Sequence, residues 1–171
     1  LYKVETVSVD VSDGTIDTTG TAAYDLDVVV SAASAARLEV TGSGVQTAGS
    51  SQTVTVTAKD SYGNVDLTYT GDKSLTFTGP VTSPDGNSPV VTDKLGSDQT
   101  VGTATIMTFI AGISSAGGSM TLYTAETAAV DVSDGSIDST GAVTYDLDVT
   151  VSSDTASRLE VTGTGTQTAG A

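Results

Sequence analysis

The sequence predicts an all-β protein, a β-sandwich set in a tandem repeat with a 121-residue period. Three observations predict it. Residues 1–50 recur as residues 122–171, with 33 identities in 50 pairs at a constant offset of 121. Apolar residues alternate with polar ones at period two, the pattern of a strand buried on one face. Clusters of Gly, Asp, Asn, Ser and Pro separate these runs at short intervals, and no stretch carries a helical period.

Taken in order, residues 1–11 repeat the pattern of 119–132 and read as a strand. The next strand places Ala22, Tyr24, Leu26, Val28 and Val30 inward, with Asp25 and Asp27 outward. Further strands are predicted at residues 37–41, 52–59, 65–70, 74–78, 101–110 and 119–132. Turns fall at 60–64, 70–72, 83–87 and 133–135. The clearest alternation is in residues 142–152, where Val143, Tyr145, Leu147, Val149 and Val151 share one face and Thr144, Asp146, Asp148 and Thr150 the other. Register is specified in both copies, because a one-residue slip would bury the aspartates. In 119–132 the apolar parity reverses around Glu126, and in the first copy around Glu5. A β-bulge is the expected cause, since one extra residue turns the face over without ending the strand.

Small polar segments at 31–36 and 152–157 follow the alternating strands and mark the boundaries. Residues 1–34 are therefore expected to be the C-terminal strands of a preceding repeat. Residues 35–153 make one complete repeat, and 154–171 the first strand of a following one. The chain begins and ends inside the period, which reads as a window on a longer array whose units contact mainly their neighbours.

Composition narrows the function. With 21 Asp and Glu against 6 Lys and Arg, the net charge of −15 repels phosphate backbones, so nucleic acid is not an expected partner. Apolar runs such as Val28-Val29-Val30 are too short to span a bilayer, so no membrane insertion is expected in this window. Without His or Cys, Ser and Thr lack their usual base for nucleophilic catalysis, and the paired Asp25/Asp27 and Asp146/Asp148 read as a solvated strand face. No enzyme is expected. Gly44 and Gly49 have the spacing of a phosphate loop, but Ser50 stands where lysine is needed and no helix follows.

Hard cations need several oxygen ligands. The one candidate set is Asp131, Asp134 and Asp138, repeated as Asp10, Asp13 and Asp17 around a Ser-Asp-Gly turn. These six are the candidate calcium ligands; no other cofactor is implied. Thr53, Thr55 and Thr57 form a ladder that strand propensity explains. Neither Asn64 nor Asn87 opens an N-glycosylation acceptor or suits a Lys–Asn crosslink, whereas the many Thr and Ser leave O-glycosylation open.

Residues 48–64, ending in Lys59-Asp60-Ser61-Tyr62-Gly63-Asn64, and residues 69–77 resemble the bacterial immunoglobulin-like repeats of large surface proteins, the invasin and intimin-like and filamin-like groups. A Lys-Asp-x-x-Gly-Asn turn at a strand end carries the likeness. The resemblance implies an immunoglobulin-like sandwich and a non-catalytic stalk, fibre or adhesin spacer on the cell surface, outside the cell. Its partners would be neighbouring repeats of the same chain, with lateral self-association of chains. The alternative is an adhesin module whose long 80–99 loop binds a glycan or host protein.

Overall fold

The computed structural model describes every residue except 21, 22, 142, 143, 164, 167 and 171. The described residues contain fourteen strands and no helix. β1 (Glu5–Val9) and β2 (Leu26–Val30) pair only with each other. The other twelve are β3 (Arg37–Thr41), β4 (Val45–Thr47), β5 (Ser51–Thr53), β6 (Thr55–Lys59), β7 (Gly71–Thr78), β8 (Val90–Thr92), β9 (Asp98–Thr100), β10 (Ala104–Ile110), β11 (Ile113–Ala116), β12 (Ser119–Thr121), β13 (Thr127–Ser133) and β14 (Leu147–Ser152). They form an eight-stranded sheet in the order β3-β6-β11-β10-β7-β13-β14-β4 and a four-stranded sheet in the order β5-β12-β8-β9.

β3 and β4 are separated by only residues 42–44, yet they stand at opposite ends of the eight-strand order. The sheet must therefore curl round until its edges approach. β4 closes one edge by pairing in parallel with β14, Val45 facing Thr150. The outer edge of β3 is satisfied by the β13–β14 loop: Leu38 N–H donates to Asp138 O (3.0 Å) and Val40 N–H to Tyr145 O (2.7 Å). Inside the curl lie Leu38, Val56, Leu75, Phe77, Met107, Phe109, Val130 and Val149, all fully buried. This all-β, multi-sheet arrangement around one core is consistent with a β-sandwich.

Several elements differ from the sequence reading, each for a local reason. Residues 52–59 break at Val54, and the neighbouring strand breaks at Gly117–Gly118, where Val54 N–H meets Gly118 O (2.8 Å). A Cβ on Gly118 would stand 2.6 Å from Val54 O, so the two chains touch where both leave their sheets. Residues 65–70 are a loop with a single bridge at Val65, because Asp66 turns the chain. β7 starts at Gly71, taking in most of the expected 70–72 turn. The parity change at Glu126 is no bulge: β12 belongs to the four-stranded sheet and β13 to the eight-stranded one, and residues 122–126 cross between them. A chain that changes sheets reverses its inward face as a bulge does.

In the last strand Val149 and Val151 are buried and Leu147 packs against the core, whereas Thr144 to Asp146 form a turn. Tyr145 lies beneath the Arg37 guanidinium, 4.2 Å from its ring centre. Val143 and Ala22, expected inward, lie outside the described residues. Residues 154–171 make no strand among those described. β3 needs β6 beside it, and nothing equivalent flanks 158–162, so Leu159 and Val161 are 96% and 97% exposed where their counterparts Leu38 and Val40 are buried.

Candidate functional site

The two copies of the aspartate loop fold alike in atomic detail. Thr6, Val7, Ser8 and Val9 pair with Val29, Val28, Asp27 and Leu26. At an offset of 121, Thr127, Ala128, Ala129 and Val130 pair with Thr150, Val149, Asp148 and Leu147. Asp13 Oδ1 accepts the N–H groups of Thr15 and Ile16, both at 2.9 Å, as Asp134 Oδ1 accepts those of Ser136 (2.8 Å) and Ile137 (2.9 Å). Asp17 Oδ1 holds Thr19 N–H and hydroxyl, as Asp138 holds those of Thr140. Asp10 accepts the Thr18 hydroxyl and Asp131 that of Ser139, an exchange of Thr for Ser that keeps the donor. Asp13, Asp17, Asp134 and Asp138 thus make Asx turns, in which the carboxylate accepts a backbone N–H two residues on, whereas Asp10 and Asp131 tie the two sides of the loop together through a hydroxyl.

Each candidate calcium ligand thus spends at least one oxygen on its own loop. Among the described residues, no three His, Cys, Asp or Glu side chains group as a metal site. In the complete copy Asp134 does more: its Oδ2 accepts the Tyr69 hydroxyl at 2.7 Å. Burial pushes the Tyr69 phenol well above its ordinary range, and the Asp134 hydrogen bond adds to that. Burial pulls the Asp134 carboxyl upward, but the Ile137 N–H, the Tyr69 hydroxyl and the Ser136 N–H together hold it below the usual value. Tyr69 stands edge-on to Phe109, ring centres 5.0 Å apart, which ties the loop to the core. Among the described residues, the first copy has no such lid. Val11 is 70% exposed and Ile16 72%, around an open hollow, where Val132 is 1% exposed and Ile137 packs on the core.

A second set of polar groups, which the sequence reading took only as a turn and a strand, lies where residues 31–35 enter the main body. Asp60 is almost wholly buried. Its Oδ1 accepts Tyr62 N–H and Asn64 N–H (2.9 Å each), and its Oδ2 accepts the Asn64 amide (3.0 Å) and Ala33 N–H (3.1 Å). The Asn64 side-chain hydrogen bond, with the N–H groups of Asn64, Tyr62 and Ala33, outweighs burial and holds the Asp60 carboxyl down to about 2. Asp66 repeats the device: Oδ2 accepts Ala35 N–H (2.8 Å) and Oδ1 the Thr68 hydroxyl (2.6 Å) and N–H (2.8 Å). Its carboxyl is also lowered, first by the Thr68 hydroxyl. Two carboxylates therefore grip alternate amides of the connecting segment.

The same turn reaches further back. Asn64 Nδ2 donates to Tyr2 O (2.7 Å), Asn64 Oδ1 accepts Val4 N–H (3.0 Å), and the Tyr62 ring packs on Tyr2 with centres 4.7 Å apart. Asp60, Tyr62 and Asn64 of the Lys-Asp-x-x-Gly-Asn segment singled out in the sequence, with Asp66, thus contact residues 1–35 from the body that follows. The missed signal was the Asp-x-Tyr-x-Asn and Asp-x-Thr spacing, which is Asx-turn chemistry and not the alternation of a strand.

The 80–99 segment is only partly loop. Residues 90–92 and 98–100 are β8 and β9, and Val91 is fully buried. The 83–87 turn closes through Ser83 N–H to Asn87 O (2.9 Å) and borders a cleft of about 460 Å³ with Gly49, Tyr123 and Arg158. Residues 44–49 hold no phosphate cradle; they carry β4 along β14. The threonine ladder is not a free flat face, since Thr55 and Thr57 are half-covered and face Thr41 and Glu39 of β3. No helix of the described residues is long and apolar enough to cross a membrane. Compared with known proteins, the chain matches no family model and no curated protein.

Proposed function

We propose that this chain is part of a non-catalytic structural repeat of a long secreted cell-surface or filament-forming protein, built of immunoglobulin-like sandwiches joined end to end at a 121-residue period. The observation that carries the reading is the pair-for-pair recurrence of register and loop hydrogen bonds at that offset, in two copies of which only one has a covered core. The pairing of β3 with β6 and of β4 with β14 supports the sandwich reading, because one opening segment then covers two strand edges of the body. Its partners are neighbouring repeats; the acidic surface makes lateral association of chains dependent on salt or counterions.

Stretching a chain of several periods between a surface and a force probe tests this. Each sandwich should open as a unit and release about 360 to 400 Å of contour, from 121 residues at roughly 3.3 to 3.6 Å each less the folded length. Irregular, smaller steps would contradict it. The cleft beside Tyr123 and the 83–87 turn favours a second reading, an adhesin module for a glycan or host protein. Saturable glycan binding lost on Tyr123→Ala, in a chain without regular steps, would establish that reading instead.

A further inference from the structure

We infer that the Asp60-x-Tyr62-Gly63-Asn64 turn is a clamp between consecutive repeats, and that the pole of each repeat formed by Tyr123, Ala125 and Asp154 is the surface that receives the same turn of the next copy. The inference rests on the tandem-array reading and names the partner of one face within it. On the receiving side, residues 1–35 present Tyr2 O, Val4 N–H, Ala33 N–H and Ala35 N–H, together with the Tyr2 ring. All but the ring are backbone groups.

That explains how a joint survives the differences between copies. At an offset of 121, Val4 becomes Ala125 and Ala33 becomes Asp154, and neither exchange removes the N–H that the clamp uses. The only side chain engaged, Tyr2, is kept as Tyr123. Among the described residues, Tyr123 O, Ala125 N–H and Asp154 N–H have no hydrogen-bond partner, whereas the segment bearing them is fixed from behind. Gly49 N–H donates to Leu122 O (2.8 Å), the Thr124 hydroxyl donates to Val81 O (3.0 Å), and Glu126 accepts Val81 N–H (3.1 Å). The pole is held in place, and its acceptor Tyr123 O and donor Ala125 N–H occupy the positions equivalent to Tyr2 O and Val4 N–H, the pair that one Asn64 side chain engages.

The geometry of the clamp implies a joint of fixed angle. A connector held at Ala33 and Ala35 by two carboxylates, and at Tyr2 and Val4 by one amide, leaves little freedom to swing.

The test uses the full chain continued directly by residues 51–171, which adds a second complete repeat with its own turn. Amide exchange at Ala125 and Asp154, read by NMR, should slow about tenfold or more relative to the original chain, the factor one ordinary hydrogen bond gives. Asn64→Ala in the added copy should restore fast exchange at Ala125 while Asp154 stays protected by the added copy of Asp60. Unchanged exchange at Ala125, with the added repeat folded, would overturn the clamp and leave the array reading standing. An added period that fails to give a second folded set of amide signals would overturn both.

Discussion

Val9 and Val130 are equivalent positions at the sequence offset of 121, and their surroundings differ. Val130 is fully buried against the core, whereas Val9 is 47% exposed on a hairpin that covers nothing. Val130→Ala removes two methyl groups, about 1.6 kcal/mol at roughly 0.8 kcal/mol each. A partly collapsed cavity adds more, for a total of about 2 to 3 kcal/mol. Val9→Ala should cost less than about 0.8 kcal/mol, because half the side chain already meets water and no cavity forms. Urea unfolding followed by circular dichroism reads both; with a slope of about 1 to 3 kcal/mol per molar, Val130→Ala should lower the midpoint by about 1 M and Val9→Ala hardly at all. The decisive variant places residues 35–121 ahead of Leu1, so that β1 and β2 gain a body of their own. There Val9→Ala should cost the same 2 to 3 kcal/mol. If it stays silent while the added body folds, the hairpin is not the missing part of a preceding sandwich.

Acid should destabilise the protein in a narrow window. The carboxyls of Asp60, Asp66, Asp72 and Asp134 all titrate lower when folded than their usual value of about 3.9, so the unfolded chain binds protons first. The stability they give is fully present above about pH 5 and is lost as pH falls toward 2; a melting temperature that rises on acidification would contradict this. Gly79→Ala should prevent folding of the main body or lower its melting temperature by more than about 10 °C, since a Cβ would stand 1.8 Å from Ala129 O at a φ of +112°. Gly135→Ala, also left-handed but with nothing within 4 Å, should lose only about 1 kcal/mol. Because each loop aspartate already accepts hydrogen bonds within its own loop, millimolar calcium should raise the melting temperature by less than about 2 °C. A rise above about 5 °C would assign the loops a metal.

How far the sequence could be read depended on whether the cause was local. Alternation located β3 to the residue and found the buried face of β14 at Leu147, Val149 and Val151, because a period of two reports burial on one face directly. It failed at 65–70, where Val65, Leu67 and Tyr69 alternate but Asp66 and Thr68 make an Asx turn that bends the chain away from any strand. It failed again at Glu126, where a change of sheet and a bulge leave the same parity signature. The joint was missed for a deeper reason. Apart from the Tyr2 ring, its receiving groups are backbone N–H and C=O, which have no residue identity to read; only Tyr2 on that side and Asp60, Tyr62, Asn64 and Asp66 on the other are legible. The aspartate loops were located correctly as a repeated feature, and what the sequence left open was whether their oxygens face a cation or their own amides.

End-to-end extension is the central claim, and small-angle scattering from the chain lengthened by one and by two periods tests it most directly. The longest strand, β7, has eight residues, about 27 Å at roughly 3.4 Å each, and the turns at its two ends bring one body to about 35 to 45 Å, so the maximum dimension should grow by that much for each added 121 residues, and by the same step both times. A step under about 20 Å, or one that shrinks with the second period, would mean that the repeats pack side by side and that the chain is no stalk.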